Sequence, residues 1–156
     1  MIESNTSIRF ENLLSLRKKV TQEELNQEMM KIGQFLKEKN LKKNGQIINT
    51  TFAVEMKDNK QILDTEILIP IDREIELTEE YTLKKVFHLV NAICIRHIGN
   101  PITLQNTYNE LNRFLTENKL QPITSAYNIT VNDVTDPAKI DEVIIDVYIG
   151  VNPSIL

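Results

Sequence analysis

TEILIPI (residues 65–71) and IIDVYIGV (residues 144–151) decide the fold. Each alternates branched apolar side chains with the period of two that a β-strand imposes. Each also carries an acid inside the run, Glu66 in the first and Asp146 in the second. Alternation puts Thr65, Ile67, Ile69 and Ile71 on one face of their strand, with Glu66 and Leu68 on the other. In the second strand Ile145, Val147, Ile149 and Val151 oppose Ile144, Asp146 and Tyr148. The same device used twice suggests a duplicated unit.

Upstream, the match continues at an offset of 79 residues. Arg17/Arg96, Leu25/Leu104, Phe35/Phe114, Leu36/Leu115, Glu38/Glu117 and Leu41/Leu120 are identical pairs, and Met29/Tyr108 and Ile32/Leu111 agree in type. The offset grows to 80 at the acid-bearing strands, the one extra residue falling in the loop where KDNK (57–60) gives way to the longer DVTDPAK (133–139). Insertions are tolerated in connecting loops, so this departure supports the repeat.

Each unit reads strand, helix, strand, strand. In the first, strands are expected near residues 8–18, 46–55 and 62–71. Thr21 and Glu24 form the S/T-x-x-E capping box that opens a helix. Leu25, Met29, Ile32 and Leu36 recur at helical spacing and make one apolar stripe. In the second unit Asn100 is the expected N-cap, with Pro101 at the first helical position. Leu104, Tyr108, Leu111 and Leu115 form the stripe, and strands close the unit near residues 123–132 and 143–151. The expectation is an α+β protein: one domain of two pseudo-symmetric βαββ repeats, about 8–71 and 83–151, with both helices on one face of the sheet. The acidic stretch 72–82 would be a solvated linker.

Composition narrows the function. A net charge of −4 over 156 residues offers no basic face for nucleic acid. One cysteine excludes an internal disulfide framework and suits a reducing cytoplasm, and no stretch has the length of a signal peptide or membrane span. Only four glycines are present, and no P-loop, dinucleotide fingerprint or metal-ligand spacing occurs, so no cofactor is expected. Cys94 and His97, three apart on a strand, face opposite ways and make no nucleophile–base pair. Lys37, Lys39, Lys42 and Lys43 gather where a helix C-terminus favours cations. The chain is expected to be a binding module and not an enzyme.

AICIRHIGNPI (92–102), TYNELNRFL (107–115), ITVND (129–133) and VIIDVYIGV (143–151) together resemble the GyrI-like effector-binding domain. That domain occurs in gyrase-inhibitor-like proteins and at the C-terminus of multidrug-sensing transcription activators. The resemblance implies a cleft on the face away from the helices, where a glutamate and aromatic side chains meet cationic ligands. Glu66, Leu68, Ile144, Asp146 and Tyr148 map to that face, with Thr51 and Thr130 near strand ends where the family often has an aromatic. Asp146 is one methylene shorter than the family's acid, and the chain has no tryptophan. Some family members hydrolyse reactive molecules with the cleft acid and a tyrosine, a pair that Asp146 and Tyr148 would supply.

SIRFENLLSLRKKVTQEELNQEM (7–29) resembles short Gram-positive GyrI-like proteins encoded beside LXG-type toxins of type VII secretion. This second likeness implies an adaptor or chaperone-like protein for such a toxin or its helical partners. The alternative is a stand-alone protein that sequesters a small cation. Against both stands a plainer expectation, that Glu66 and Asp146 merely solvate one sheet face. If the acids do bind, the larger contribution is expected from Asp146, shielded by Tyr148 and Ile144.

Overall fold

A computed structural model of the chain describes residues 1–156. In chain order it runs β1 (Ile2–Val20), α1 (Gln22–Glu38), β2 (Ile48–Lys57), β3 (Lys60–Pro70), β4 (Thr82–Ile98), α2 (Leu104–Glu117), β5 (Pro122–Thr130) and β6 (Ile144–Val151). Short 3-10 turns occur at Pro101–Thr103 and Pro137–Glu142. This is an α+β fold in which strand–helix–strand–strand occurs twice. The residues group into two compact units, 10–87 and 1–9 with 88–156, so the division falls inside β1 and β4.

In unit 10–87, β3 lies between β1 and β2, antiparallel to both, with Leu16 opposite Ile67 and Ile48 opposite Leu68. The β2–β3 turn closes on Asp58 and Asn59, both left-handed at φ 51° and 64°, as a tight hairpin requires. The capping box forms: Glu24 N–H donates to Thr21 Oγ1 at 3.2 Å, and Thr21 N–H donates to Glu24 Oε1 at 3.1 Å. The Leu25, Met29, Ile32 and Leu36 stripe then packs on Leu14, Leu16, Ile67, Ile69 and Ile71.

Two expectations change here. Strand β1 begins at Ile2, well before residue 8, and Asn5 and Asn12 take left-handed conformations inside it at φ 56° and 54°. Asparagine tolerates that region, so the strand continues through positions that would strain a β-branched residue. The acidic linker is also no purely solvated loop. Its acids point outward, but Ile75, Leu77 and Tyr81 pack on the core, and the Tyr81 ring lies 4.9 Å from that of Phe35.

In the other unit β6 lies between β4 and β5, again antiparallel, with Ile95 and Asn128 both opposite Val147. Asn100 caps as expected, its Oδ1 accepting from Ile102 N–H at 3.0 Å, but a 3-10 turn precedes α2, which starts at Leu104. The α2 stripe packs on Ile93, Ile95, Ile145, Val147, Ile149 and Val151. Tyr108 joins it with its ring and donates its hydroxyl to Asn128 Oδ1 at 2.7 Å. Asn132 fastens the longer β5–β6 loop: its Nδ2 donates to Glu142 O and its Oδ1 accepts from Ile144 N–H, both at 2.8 Å.

Gly99 ends β4 at φ +131°, a region that a side chain at this position would strain. A Cβ there would meet nothing within 4 Å. The cost of Gly99→Ala is therefore conformational, and a loss of at least about 1 kcal/mol is expected in urea denaturation.

Candidate functional site

The cross-strand register repeats with the sequence. Arg17 lies opposite Glu66, and Arg96 opposite Asp146. In the second case the arginine takes the acid facing it: Arg96 Nε and Nη2 donate to the two Asp146 oxygens at 2.8 and 2.9 Å. In the first case it does not. Arg17 instead reaches Asp64, two residues along β3, at 3.2 and 3.1 Å. The position equivalent to Asp64 in the other unit is Ile144, which offers Arg96 no such alternative.

Glu66, released from its arginine, has other partners. Its Oε2 accepts from Ser15 Oγ at 2.6 Å and pairs with Lys84 Nζ at 2.6 Å. The Glu66 side chain is only 5% exposed, whereas that of Lys84 is 41% exposed. On the same face Leu13, Ile48, Thr50 and Leu68 are all at 0% exposure. The face is thus not the half-solvated surface of the plain expectation. Nor is Asp146 the more shielded acid, since its side chain is 16% exposed. The apolar strand residues around Glu66 are more closed than Ile144 and Tyr148, both only half-buried.

Ser15 has Cys94 as its equivalent, and Leu68 has Tyr148. Those two also lie opposite each other. Burial pushes the Cys94 thiol up to about 11, so it stays protonated and unreactive at neutral pH. Burial also raises Tyr148, with Cys94 and the Asp146 charge adding to the effect. A phenol held protonated beside a carboxylate already committed to Arg96 is poorly placed for general base catalysis.

Thr51 and Thr130 do not join the acids. Thr51 lies opposite Thr65 and Thr130 opposite Ile145, which places both on the helix side of their strands. Directly opposed residues share a face, so the acids' neighbours on β2 and β5 are Thr50 and Ile129. Phe52, missed in the sequence, is the extra residue of a bulge between Thr51 and Ala53. The Arg17 guanidinium lies 4.0 Å over its ring. No run of residue types announces a bulge.

His97 is structural. Its Nε2 faces Asn100 O at 3.2 Å and its Nδ1 faces Thr107 Oγ1 at 2.7 Å. A carbonyl only accepts, so Nε2 carries the proton and, in the neutral ring, Thr107 donates to Nδ1. The equivalent pair in the other unit is Lys18 with Glu28, 2.9 Å apart. Both tie the end of a strand to the helix that follows. Glu28 is 5% exposed, also meets Lys31 at 3.6 Å, and leaves Oε2 buried without a partner.

The Lys18 hydrogen bond holds the Glu28 carboxyl below its usual range, against the opposing effect of burial. A lowered native value means stability that is present at neutral pH and lost as pH falls through that value. Urea midpoints measured from pH 7 down to pH 3 are expected to drop less steeply in Glu28→Gln than in the wild type. Parallel curves would contradict the assignment. No three His, Cys, Asp or Glu side chains converge on a point that could hold a metal ion.

No protein-family model and no curated protein matches the sequence. Solved structures do. The C-terminal domain of EcmrR superposes with a TM-score of 0.78 at 15% identity, over 99% of this chain and 98% of that domain. The chain has the GyrI-like fold. It spans 58% of the EcmrR chain in the EcmrR–DNA complex, where the TM-score is again 0.78. A hydrolase from Listeria innocua superposes at 0.60, with 14% identity over 97% of this chain and 91% of that one. SAV2435 bound to tetraphenylphosphonium superposes at 0.52, with 11% identity over 98% of this chain and 93% of that one. Within the GyrI-like fold, Glu66 and Asp146 occupy equivalent strand positions with unlike surroundings. No helix is long and apolar enough to cross a membrane.

Proposed function

We propose that this protein is a non-enzymatic module that binds a small organic cation, with Glu66 as the anionic contact. The observation that carries the reading is the Glu66–Lys84 pair. A carboxylate 5% exposed among apolar residues is costly to keep charged, and its counter-ion is a side chain that is itself 41% exposed. A lysine is strongly hydrated on a flexible stem, so solvent offers it a good alternative. A weakly hydrated organic cation has none as good. Displacing Lys84 lets the ligand take the desolvated carboxylate while the ammonium returns to water. The fold likeness to a protein captured with tetraphenylphosphonium supports this choice of ligand class.

Asp146 contributes less in this reading, since the bidentate Arg96 contact occupies both its oxygens. The same contact weighs against a hydrolytic Asp146–Tyr148 pair. A secreted toxin or its helical partners as the bound protein draws no support from the fold neighbours.

The test is calorimetric titration with tetraphenylphosphonium. Glu66→Gln keeps the shape and removes the charge, and is expected to weaken binding about ten- to hundredfold, the loss of a charge-assisted contact. Asp146→Asn is expected to change affinity by less than about threefold. Equal affinity in Glu66→Gln and wild type would sink the proposal. A larger loss in Asp146→Asn would move the site to the other acid.

A further inference from the structure

Beside α1, on the helix side of unit 10–87, an open groove of about 460 Å³ remains. We infer that it binds a free long-chain carboxylate, with the acyl chain on its apolar floor and the head group at Lys37 and Lys43. The inference is independent of the cation site, which involves other residues and the opposite sign of charge.

The floor is built by Ile32, Leu41 and Ile69, all buried, together with the half-covered Met29, Leu36 and Ile47. The half-covered residues leave apolar surface in contact with water, which favours an apolar occupant. No aspartate or glutamate lines the groove, whereas Lys37 and Lys43 do. An apolar trough with cations at its rim complements an amphiphile with an anionic head. Its volume is within the range of about 300–1,000 Å³ usual for small-molecule sites. A docked protein would need roughly 800 Å² of surface on each partner, far more than this trough presents.

Two further observations point the same way. Gly33 lies well inside α1 and lines the groove. A mid-helix glycine costs about 0.5–1 kcal/mol relative to alanine. A Cβ at this position would meet nothing within 4 Å, so no neighbouring side chain demands the glycine. Only a side chain longer than alanine's would take up room in the groove. The lysines are likewise not needed to cap the helix. The last-turn carbonyls Phe35 O, Leu36 O and Lys37 O accept from the N–H groups of Lys39, Leu41 and Asn40, and Arg73 Nη2 donates to Lys39 O at 3.3 Å and Asn40 O at 3.1 Å, placing a cation just past the helix end.

Dodecanoate, added below its micelle-forming concentration, is the probe. Amide shifts are expected to concentrate in residues 29–47 and to saturate. Gly33→Met fills the groove from an exposed position, and Lys37→Glu/Lys43→Glu reverses the rim charge on the surface. Each is expected to weaken dodecanoate by at least about tenfold, while Gly33→Ala stays within about twofold. Tetraphenylphosphonium affinity is expected to be unchanged in all three. Shifts absent from α1, undiminished binding in Gly33→Met or in the charge reversal, equal binding of dodecyltrimethylammonium, or binding only above the micellar concentration would each overturn the inference. The surface charge reversal keeps the test valid should Gly33→Met fold poorly.

Discussion

Ile32→Ala and Leu111→Ala are each expected to destabilise the protein by about 2–5 kcal/mol, read as a lowered urea midpoint at unchanged slope. The two residues occupy equivalent positions on the α1 and α2 stripes, and both are at 0% exposure. Each sits in the main cluster of its own unit, Ile32 against β1 and β3 residues, Leu111 against β4 and β6 residues. Truncation removes the transfer free energy of three methyl or methylene groups and leaves a hole whose walls are strands, which collapse poorly. Neither helix has another means of attachment of comparable size. The polar ties at Lys18–Glu28 and His97–Thr107 orient a helix, but each is a single contact between a strand end and one helix residue. A cost below about 1 kcal/mol at either position would mean that the stripe is not what seats the helix.

Lys84→Met is expected to cost about 3 kcal/mol at neutral pH, nearly all of it recovered in Lys84→Met/Glu66→Gln. Breaking a buried pair by removing one partner costs about 3–5 kcal/mol, because an uncompensated charge is left behind. The lower end applies here, since Lys84 is 41% exposed and Ser15 still donates to the carboxylate. The rescue distinguishes this from lost packing, because the amide restores nothing that the lysine stem covered. Saturating tetraphenylphosphonium is expected to raise the midpoint of Lys84→Met more than that of wild type, since its cation site stands open. No rescue in the double variant would show that Lys84 contributes through its stem alone.

Much of the fold was legible in local pattern. The two stripes, the Thr21–Glu24 box, the turn at Asp58 and Asn59 and the repeat at offsets 79 and 80 depend on periods and short-range hydrogen bonds. Such signals survive whatever the rest of the chain does. The early start of β1 was not legible, because a left-handed asparagine inside a strand looks in sequence like the asparagine that ends one. The bulge at Phe52 was hidden for a related reason: it adds one residue without any compositional mark.

What the sequence by itself determined was which residues share a strand face, and that an acid sits on that face in both units. Strand alternation is covalent geometry and needs no tertiary information. Only the tertiary structure decided what each acid does. Arg17 and Arg96 start from equivalent positions, yet one reaches past its facing acid to Asp64 and the other cannot, having Ile144 there. The choice depends on side-chain reach across a register, and on burial that leaves Glu66 more desolvated than Asp146. Burial and partner selection are properties of packed neighbours distant in sequence, so two acids with one pattern acquired two different environments.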